Sequence, residues 1–346
     1  MNTKNLFMSF VGLVLIAGCA QQPTKLIESK TPQFQLKTKL DEARTQIQSG
    51  TVILDTRPPL EFHANKVPGS ILVEWKDFTL KNSGAEGVLD KDPVNITRRL
   101  ALWGINQDSK VIVLGKRNDV DSEQAALFGR VAWMLREVGV KNVKTFNYEL
   151  FKREVPGLNE AVPENKPLWM PIGEGKTEIS FDEFQRMIYP FNYKFHFYTL
   201  KSKDEKEGLR VGRIKNAKIH FLDVRSDKEF HSESLKTWDE TFPLTHIEWT
   251  QFYTNDGILN LLAKEKLEAL GIHPSDMLVV ISNHGVRSGA AVFALQELGY
   301  TEAKNFSGGY AYLKNAMTLE KEINAVFFEK EKKKSKKLKS KKRRKK

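Results

Sequence analysis

One short pattern occurs twice in this chain and sets the limits on its fold. An apolar segment that ends in Asp-x-Arg lies at residues 53–57, and a second one lies at 221–225. In both copies a Glu-Phe pair follows with the same spacing, at 61–62 and at 229–230. Internal duplication of this kind indicates repeated copies of one structural unit. The sequence therefore predicts a pair of similar domains.

A second matched block follows in each half. Short apolar runs at 111–114 and 278–281 precede segments with helical periodicity at 125–138 and 289–298, and each of these segments is followed by glycine. Continuous apolar runs that alternate with helices are typical of strands covered on both faces in a parallel sheet. The predicted fold class is α/β, with a parallel sheet flanked by helices in each half.

The domain boundaries are predicted from the repeat and from local composition. A Pro- and Gly-rich stretch between the halves is typical of a linker. Ser180, with Glu183 three residues later, predicts a capped helix at the start of the second unit. We predict a first domain at 33–160, a linker at 161–178 and a second domain at 179–326.

The first residues have the layout of an export signal. A polar start with Lys4 leads into an apolar run that ends Ile-Ala-Gly at 16–18, directly before Cys19. This run is shorter than the roughly 20 residues that a membrane-spanning helix needs. We predict a lipoprotein signal peptide at 1–18 and a polar tether at 19–32 that begins with a lipid-modified Cys19. The alternative is an uncleaved anchor or a buried N-terminal helix.

Cys19 is the only cysteine in the sequence. A protein without further thiols suits an oxidising compartment, because nothing remains to mispair. The predicted location is therefore a membrane-anchored state that faces the periplasm or the cell surface. Ala20 follows Cys19 in place of the aspartate that retains many lipoproteins at an inner membrane, which favours the outer membrane.

The other end of the chain concentrates its positive charge. From Glu331 onward there are ten Lys, two Arg and one Glu, a net charge of +11 out of the chain's +12, so residues 1–330 carry only +1. A block of like charges cannot form a core, and we predict a disordered tail at 329–346. The stretch from Lys332 to Lys346 either solubilises the protein or binds an anionic envelope surface. No nucleic-acid partner is expected, because no basic face with interleaved aromatic residues lies in the body of the chain.

The repeat resembles a known family at several positions. The Asp-x-Arg strand and the Val-Pro-Gly step at 67–69 are similar to the opening of a rhodanese domain. Residues 282–288, Ser-Asn-His-Gly-Val-Arg-Ser, resemble the rhodanese active-site loop Cys-x-x-Gly-x-Arg-Ser. The segment 129–136 is similar to the non-catalytic N-terminal half of tandem thiosulfate and 3-mercaptopyruvate sulfurtransferases. The resemblance extends from Gln33 to Lys314 and implies two tandem rhodanese-like domains, the first of them degenerate.

The same resemblance implies that a loop cysteine should carry sulfur as a persulfide. In this sequence Ser282 and Gly115 occupy the two nucleophile positions. A hydroxyl is a much weaker acid than a thiol and needs an adjacent base to act as a nucleophile. His284 lies in the same tight loop, where we expect it to face solvent or substrate rather than Ser282. No intact catalytic residue is therefore predicted, and the expectation leans away from an enzyme.

The second half is still expected to hold an anion site. Backbone N–H groups that curl before a helix N-terminus can bind an anion without any nucleophile. Gly285 permits the tight backbone, and Arg287 adds a positive fork. The alternative is a relic of the fold in which Ser282 only caps the helix. The predicted anion-binding residues are Ser282, Asn283, His284, Gly285, Val286 and Arg287.

Two further pairs are expected to fix the loops that follow their strands, Asp55 with Arg57 and Asp223 with Arg225. The seven histidines lack metal-ligand spacing, so neither a metal nor a cofactor is predicted.

The predicted function is a membrane-anchored rhodanese-like lipoprotein that does not transfer sulfur and acts as an anion-binding or protein-interaction module, with a small oxyanion as one partner. One alternative is a sulfurtransferase-type or related anion-transfer enzyme that uses a non-cysteine loop. The other is a purely structural protein whose tail bridges a membrane to an anionic polymer.

Overall fold

The structure describes most of each predicted domain, and residues 156–160, 189–217 and 318–326 of those domains lie outside the described ranges. A computed structural model describes residues 32–48, 50–81, 84–116, 123–155, 166–171, 177–188 and 218–317. The predicted signal peptide, Cys19, the basic tail and most of the predicted linker lie outside the described residues. Within the described ranges, no helix has both the length and the apolar character needed to cross a bilayer.

The first domain contains a four-stranded sheet in the order β2-β1-β3-β4, and every strand pair in it is parallel. Its strands are β1 Val52–Asp55, β2 Ile71–Leu72, β3 Lys110–Gly115 and β4 Asn142–Asn147. Its helices are α1 Gln33–Gln48, α2 Pro59–Ala64, α3 Pro93–Leu102, α4 Leu127–Glu137 and α5 Tyr148–Glu154.

The second domain repeats this arrangement with the strand order β6-β5-β7-β8, again parallel throughout. Its strands are β5 Ile219–Asp223, β6 Leu244–His246, β7 Met277–Ile281 and β8 Ala303–Phe306. Its helices are α6 Phe181–Ile188, α7 Asp227–Ser232, α8 Leu235–Trp238, α9 Leu262–Ala269 and α10 Val286–Glu297. The predicted α/β fold class is confirmed.

The apolar runs of the sequence form central strands of each sheet. Every residue of β7 is buried, and every residue of β3 after Lys110 is buried. These strands have helices or the other domain on both faces, which is why their side chains do not alternate between apolar and polar. The predicted capping box is present at α6, where Ser180 N–H donates to Glu183 and Glu183 N–H donates to the Ser180 hydroxyl.

The predicted helix after β7 differs from the observed one at its start. The periodicity predicted a helix from 289, whereas α10 begins at Val286. Gly285 immediately precedes it in a left-handed conformation with φ 72°, so the tight loop ends earlier than the apolar pattern indicated. In the first domain the predicted helix 125–138 begins as a 3₁₀ turn at Gln124–Ala126 and continues as α4.

The two domains pack against each other through α4 and α10. A Cβ atom on Gly129 of α4 would lie 2.6 Å from the Ala290 Cβ of α10, and one on Gly289 would lie 3.0 Å from the Arg130 Cδ. Each helix therefore presents a glycine where the other approaches most closely. A single hydrophobic cluster contains side chains from both domains, which joins them in one core.

Candidate functional site

The loop after β7 connects the end of the second sheet to α10, and we refer to residues 282–287 as the anion loop. Gly285 turns the chain in this loop with φ 72°, a conformation that favours glycine. A Cβ atom at this position would lie 2.3 Å from the backbone oxygen of Ser307. The loop is therefore closed tightly against the chain that follows β8, and only glycine fits this turn.

Ser282 begins the anion loop and is fully buried. Its Oγ accepts a hydrogen bond from the Ser288 N–H at 3.2 Å and lies 3.0 Å from the Ser288 Oγ. The Ser288 hydroxyl donates to Asn305 Oδ1 at 2.6 Å, so the proton between the two serines comes from Ser282. The Ser282 hydroxyl therefore caps the first turn of α10 and donates its own proton to another hydroxyl, not to a base.

The carbonyl groups of the loop are bound from outside it. The Ser282 oxygen accepts from the Tyr310 N–H at 2.9 Å, and the Asn283 oxygen accepts from the Ala311 N–H at 3.1 Å. The Gly285 backbone oxygen accepts from Arg130 Nη1 at 3.1 Å, from the Asn305 side-chain amide at 3.2 Å and from the Gly289 N–H of α10 at 3.0 Å. Four donors of the second domain and one of the first thus bind three of the loop's backbone oxygens.

This arrangement fixes the direction of the following N–H groups. In a trans peptide the C=O and N–H bonds point in opposite directions, so the N–H groups of Asn283, His284 and Val286 point away from the outer donors. Within the described ranges, none of these three N–H groups donates to a protein acceptor. Because Asn283 and His284 are only half-buried, solvent reaches the loop on their side. Open backbone N–H groups beside a helix N-terminus can form a local site for an anion.

The Arg287 guanidinium does not point toward the N–H groups of the anion loop. Its two terminal nitrogens donate to the Glu229 carboxylate at 2.6 and 2.8 Å, and only 4% of its side chain is exposed. The Asn283 side-chain amide donates to the same carboxylate at 2.7 Å. Burial raises the pKa of Glu229, but hydrogen bonds from Arg287 and Ser226 outweigh that effect and hold it at about 2. The charge of Arg287 is therefore balanced within the protein.

The predicted Asp223 and Arg225 pair lies under the same loop. Arg225 donates to the Asp223 carboxylate at 2.7 Å and to the backbone oxygen of Glu233 at 2.6 Å. It also donates to Asn283 Oδ1 at 3.2 Å, and its guanidinium lies 3.7 Å from the centre of the Tyr310 ring. Arg225 thus connects the end of β5 to the first residues of the anion loop.

The first domain holds its Asp55 and Arg57 pair in a similar way. Arg57 donates to Asp55 at 2.7 Å and to the Asn65 backbone oxygen at 2.9 Å, and its guanidinium lies 3.2 Å from the Tyr148 ring centre. The loop that follows β3 differs from the anion loop. Its first residue, Lys116, reaches a glutamate of α2 at 3.2 Å, and residues 117–122 lie outside the described ranges.

Gly115, the predicted counterpart of Ser282, is the last residue of β3. A Cβ atom on it would lie 2.8 Å from the Phe128 side chain, so the close contact with α4 accounts for a glycine there. Because glycine has no side chain, this position offers no nucleophilic group. Across the described residues, no cluster of three or more His, Cys, Asp or Glu side chains could hold a metal ion.

Residues of the first domain and of the linker complete the surroundings of the anion loop, and no sequence motif marks them. A Cβ atom on Gly87 would lie 1.9 Å from the backbone oxygen of His284, so the first domain lies directly against the loop. The Glu178 carboxylate accepts from the Leu89 N–H at 3.0 Å and from the Ser307 hydroxyl. Local sequence carries no signal for such contacts, because their partners are far apart in the chain.

Comparison with known structures places this geometry among known folds. SseA from Escherichia coli, a 3-mercaptopyruvate sulfotransferase with the rhodanese fold, superposes with a TM-score of 0.55 at 17% identity, covering 78% of this chain and 97% of that one. Wild-type EanB gives a TM-score of 0.56 at 16% identity, covering 77% of this chain and 61% of that one. A complex of EanB in which ergothioneine is covalently linked with a persulfide cysteine gives a TM-score of 0.55 at 16% identity, covering 77% and 62%.

These likenesses concern the fold, and the chain spans less than two thirds of the length of EanB. No curated protein matches the chain in sequence. The family model of the rhodanese-like domain matches it twice, at residues 37–149 and 211–316. The two matches together cover more than half of the chain, and each contains one of the two parallel sheets. The chain therefore belongs to the rhodanese-like domain family and carries two copies of that domain.

Proposed function

We propose that the second domain binds a small oxyanion at the anion loop and does not transfer sulfur. The observation that carries the proposal is the orientation of the loop: three of its backbone oxygens accept hydrogen bonds from the rest of the protein, and the N–H groups of Asn283, His284 and Val286 point away from those donors. Hydrogen bonds to a charged acceptor contribute about 1.5–3 kcal/mol each. Because Arg287 is neutralised by Glu229, we expect modest affinity, with a Kd on the order of 1 mM.

The absence of sulfur transfer is proposed from the chemistry of Ser282. In the family motif this position holds a cysteine, and the only cysteine of this chain is Cys19. The Ser282 hydroxyl is fully buried and already makes two hydrogen bonds with Ser288. A serine nucleophile needs an adjacent base, and no hydrogen bond joins His284 to Ser282 in the described part of the chain. The alternative of an enzyme that uses a non-cysteine loop is therefore less favoured.

The experiment compares two glycines with nearly the same backbone conformation. Gly285 has φ 72° and Gly271 has φ 73°, but a Cβ atom at Gly271 would meet nothing within 4 Å. Gly285→Ala should distort the loop and weaken sulfate binding by about tenfold or more, which corresponds to about 1.4 kcal/mol. Gly271→Ala should bind sulfate like the parent protein. Calorimetric titration of both variants with sulfate, phosphate and thiosulfate measures this.

Two results would overturn this proposal. One is the absence of saturable binding of all three oxyanions to the parent protein. The other is equal binding by the folded Gly285→Ala and Gly271→Ala variants, which would place the anion elsewhere.

We further propose that lipid on Cys19 anchors the protein, with its domains facing the periplasm or the cell surface. The support is the apolar run that ends in Ile-Ala-Gly before Cys19 and the lack of any other thiol. The lipid on Cys19 would supply the anchor by itself, and the basic stretch from Lys332 to Lys346 would contact an anionic envelope surface. Cells grown with a labelled fatty acid should label the protein. Label that persists on Cys19→Ser would show that the signal has been misinterpreted.

A further inference from the structure

Arg130 belongs to the first domain but contacts the anion loop of the second. Its side chain is on α4 and is 1% exposed. Nη2 donates to the Gly87 backbone oxygen at 2.6 Å, and Nη1 donates to the Gly285 backbone oxygen at 3.1 Å. One guanidinium therefore joins a loop of the first domain to the anion loop.

The burial of this charge is costly. Burial lowers the pKa of Arg130 to about 10, against the opposing effect of the Glu178 and Glu137 carboxylates. The guanidinium also lies 4.4 Å from the centre of the Trp133 ring. Replacement of a whole buried ion pair by apolar residues is often neutral or stabilising, so a buried charge is weak evidence for a role in stability. A role in stability alone therefore does not account for an arginine here, whereas the two bound carbonyls do.

The direction of the Gly285 carbonyl determines the direction of the next N–H group. Because the two bonds of a trans peptide are antiparallel, a donor that holds the Gly285 oxygen on the outer side turns the Val286 N–H toward the opposite side. The Gly289 N–H, at 3.0 Å, and the Asn305 side-chain amide, at 3.2 Å, donate to the same oxygen, but both belong to the second domain. Of these three donors, Arg130 is the one that comes from the first domain.

The related position in the second domain lacks such a contact. When Gly129 is matched with Gly289, the counterpart of Arg130 is Ala290, which has no side-chain donor. Its backbone oxygen accepts from the Tyr253 hydroxyl at 2.7 Å. The side-chain donor that Arg130 provides on α4 therefore has no counterpart at the matched position of α10.

We infer that Arg130 is a positioning residue for the anion loop: it fixes the Gly285 carbonyl, and through it the Val286 N–H, relative to Gly87 of the first domain. This inference rests on the proposed function, since it concerns the same loop. It adds that the degenerate first domain is required for the affinity of the second. The first domain is then part of the binding site without touching the anion.

The test separates the shape of the guanidinium from its charge. Arg130→Lys keeps the charge, but a single ammonium cannot reproduce the two-pronged fork, and Arg130→Met removes both. Arg136→Met is the matched control, because Arg136 lies on the same helix and makes an interdomain ion pair with Glu297 at 2.6 Å without contacting the loop. Each variant is measured in the full chain for sulfate affinity and for urea stability.

A second readout does not depend on sulfate. In a Ser282→Cys background, backbone N–H donors that converge on the loop should lower the thiol pKa below its usual value of about 8.5. Titration of the thiolate by ultraviolet absorbance reports this pKa. Arg130→Lys and Arg130→Met should both raise it and should both weaken sulfate binding about five- to tenfold. Arg136→Met should change neither quantity.

Three outcomes decide between the explanations. If folded Arg130→Lys equals the parent in both readouts while Arg130→Met does not, charge alone acts and the positioning role is wrong. If Arg130→Lys and Arg130→Met equal the parent in the thiol pKa, the inference is overturned. If the parent does not bind sulfate but both Arg130 variants raise the thiol pKa, the proposed function fails and the positioning role stands.

Discussion

The two domains share a framework and differ at the loop that follows the third strand of each sheet. Arg57 lies over the Tyr148 ring in the first domain, as Arg225 lies over the Tyr310 ring in the second, and each is paired with an aspartate at a strand end. Beyond this point the second domain forms the anion loop, whereas the first has Gly115 at the corresponding position. The Asp-Arg pair and its aromatic ring occur in both domains, so this arrangement does not depend on which loop follows the third strand.

Each domain also covers the strand ends of the other. In the second domain, the Gly257 oxygen accepts from the Thr145 hydroxyl at 3.0 Å, and the Asp256 oxygen accepts from the Asn147 N–H at 2.8 Å. In the first domain, Gly87 lies against the backbone of the anion loop. The covers are therefore reciprocal. The buried guanidinium of Arg130 on α4 is not reciprocal, because the matched position on α10 is Ala290.

The largest expected effect is a gain of activity at Ser282. The parent protein, produced from residue 20 onward, should transfer no sulfur from thiosulfate to cyanide. Ser282→Cys should gain measurable transfer, because a thiol within converging N–H donors is a stronger nucleophile than a hydroxyl. Gly115→Cys, the equivalent change in the first domain, should gain none. Single-turnover and steady-state assays measure both variants.

A turnover by the parent above that of a heat-denatured sample would show that the protein uses another group. A folded Ser282→Cys variant that remains inert would show that the loop no longer accepts a sulfur donor. Equal activity of the two cysteine variants would remove the distinction between the loops.

The features that the sequence predicted well are local or strongly periodic. The apolar runs predicted β3 and β7, because both strands are buried on both faces and therefore carry an uninterrupted apolar signal. The capping box at Ser180 was predicted because both of its partners lie within four residues. The duplicated Asp-x-Arg segment predicted the two sheets, since it marks the end of β1 in one domain and of β5 in the other.

The surroundings of the anion loop could not be predicted in this way. Arg130 and Gly285 are separated by 155 positions, and only the packing of α4 on α10 brings them together. The partner of Arg287 was missed for a related reason. Glu229 lies 58 positions away, although it belongs to the duplicated Glu-Phe pair, so its motif was visible while its role was not. The Arg287 guanidinium, which was expected to face a bound anion, therefore donates to the Glu229 carboxylate instead.

The next effect concerns the cover over the anion loop. Gly87→Ala places a Cβ atom 1.9 Å from the His284 oxygen and 2.2 Å from the Ser307 oxygen, both of them backbone atoms that cannot move independently. We expect it to lower the free energy of unfolding by about 3 kcal/mol, as overpacking in a well-packed core does. Gly50→Ala, where a Cβ atom would meet nothing within 4 Å, should cost about 1 kcal/mol for its positive φ alone.

Urea denaturation of both variants measures this difference. If Gly87→Ala is no more destabilising than Gly50→Ala, the first domain does not pack closely against the anion loop. That result would contradict the interdomain contact through which Arg130 is proposed to act.

The smallest expected effect compares two glutamates at the same position of the repeat. Glu229 pairs with Arg287, whose side chain is 4% exposed, whereas Glu61 pairs with Lys116, whose side chain is 41% exposed. Exposed ion pairs contribute about 0–1 kcal/mol, but loss of one partner of a buried pair leaves an uncompensated charge. We therefore expect Glu229→Gln to destabilise the protein by on the order of 2 kcal/mol at neutral pH and Glu61→Gln by less than about 1 kcal/mol.

The pH dependence of the free energy of unfolding tests the difference between Glu229 and Glu61 in a defined direction. The pKa of Glu229 is about 2 in the folded protein and about 4.3 in an unfolded chain, so the folded state binds its proton less readily. The stabilisation is complete above the unfolded value and is lost as the pH falls from about 4.3 toward about 2. Urea midpoints of the parent and of Glu61→Gln should fall across this window, and those of Glu229→Gln should fall less. Identical acid profiles for the parent and Glu229→Gln would mean that the fork between Glu229 and Arg287 does not hold the loop, and that the two domains differ less than their contacts indicate.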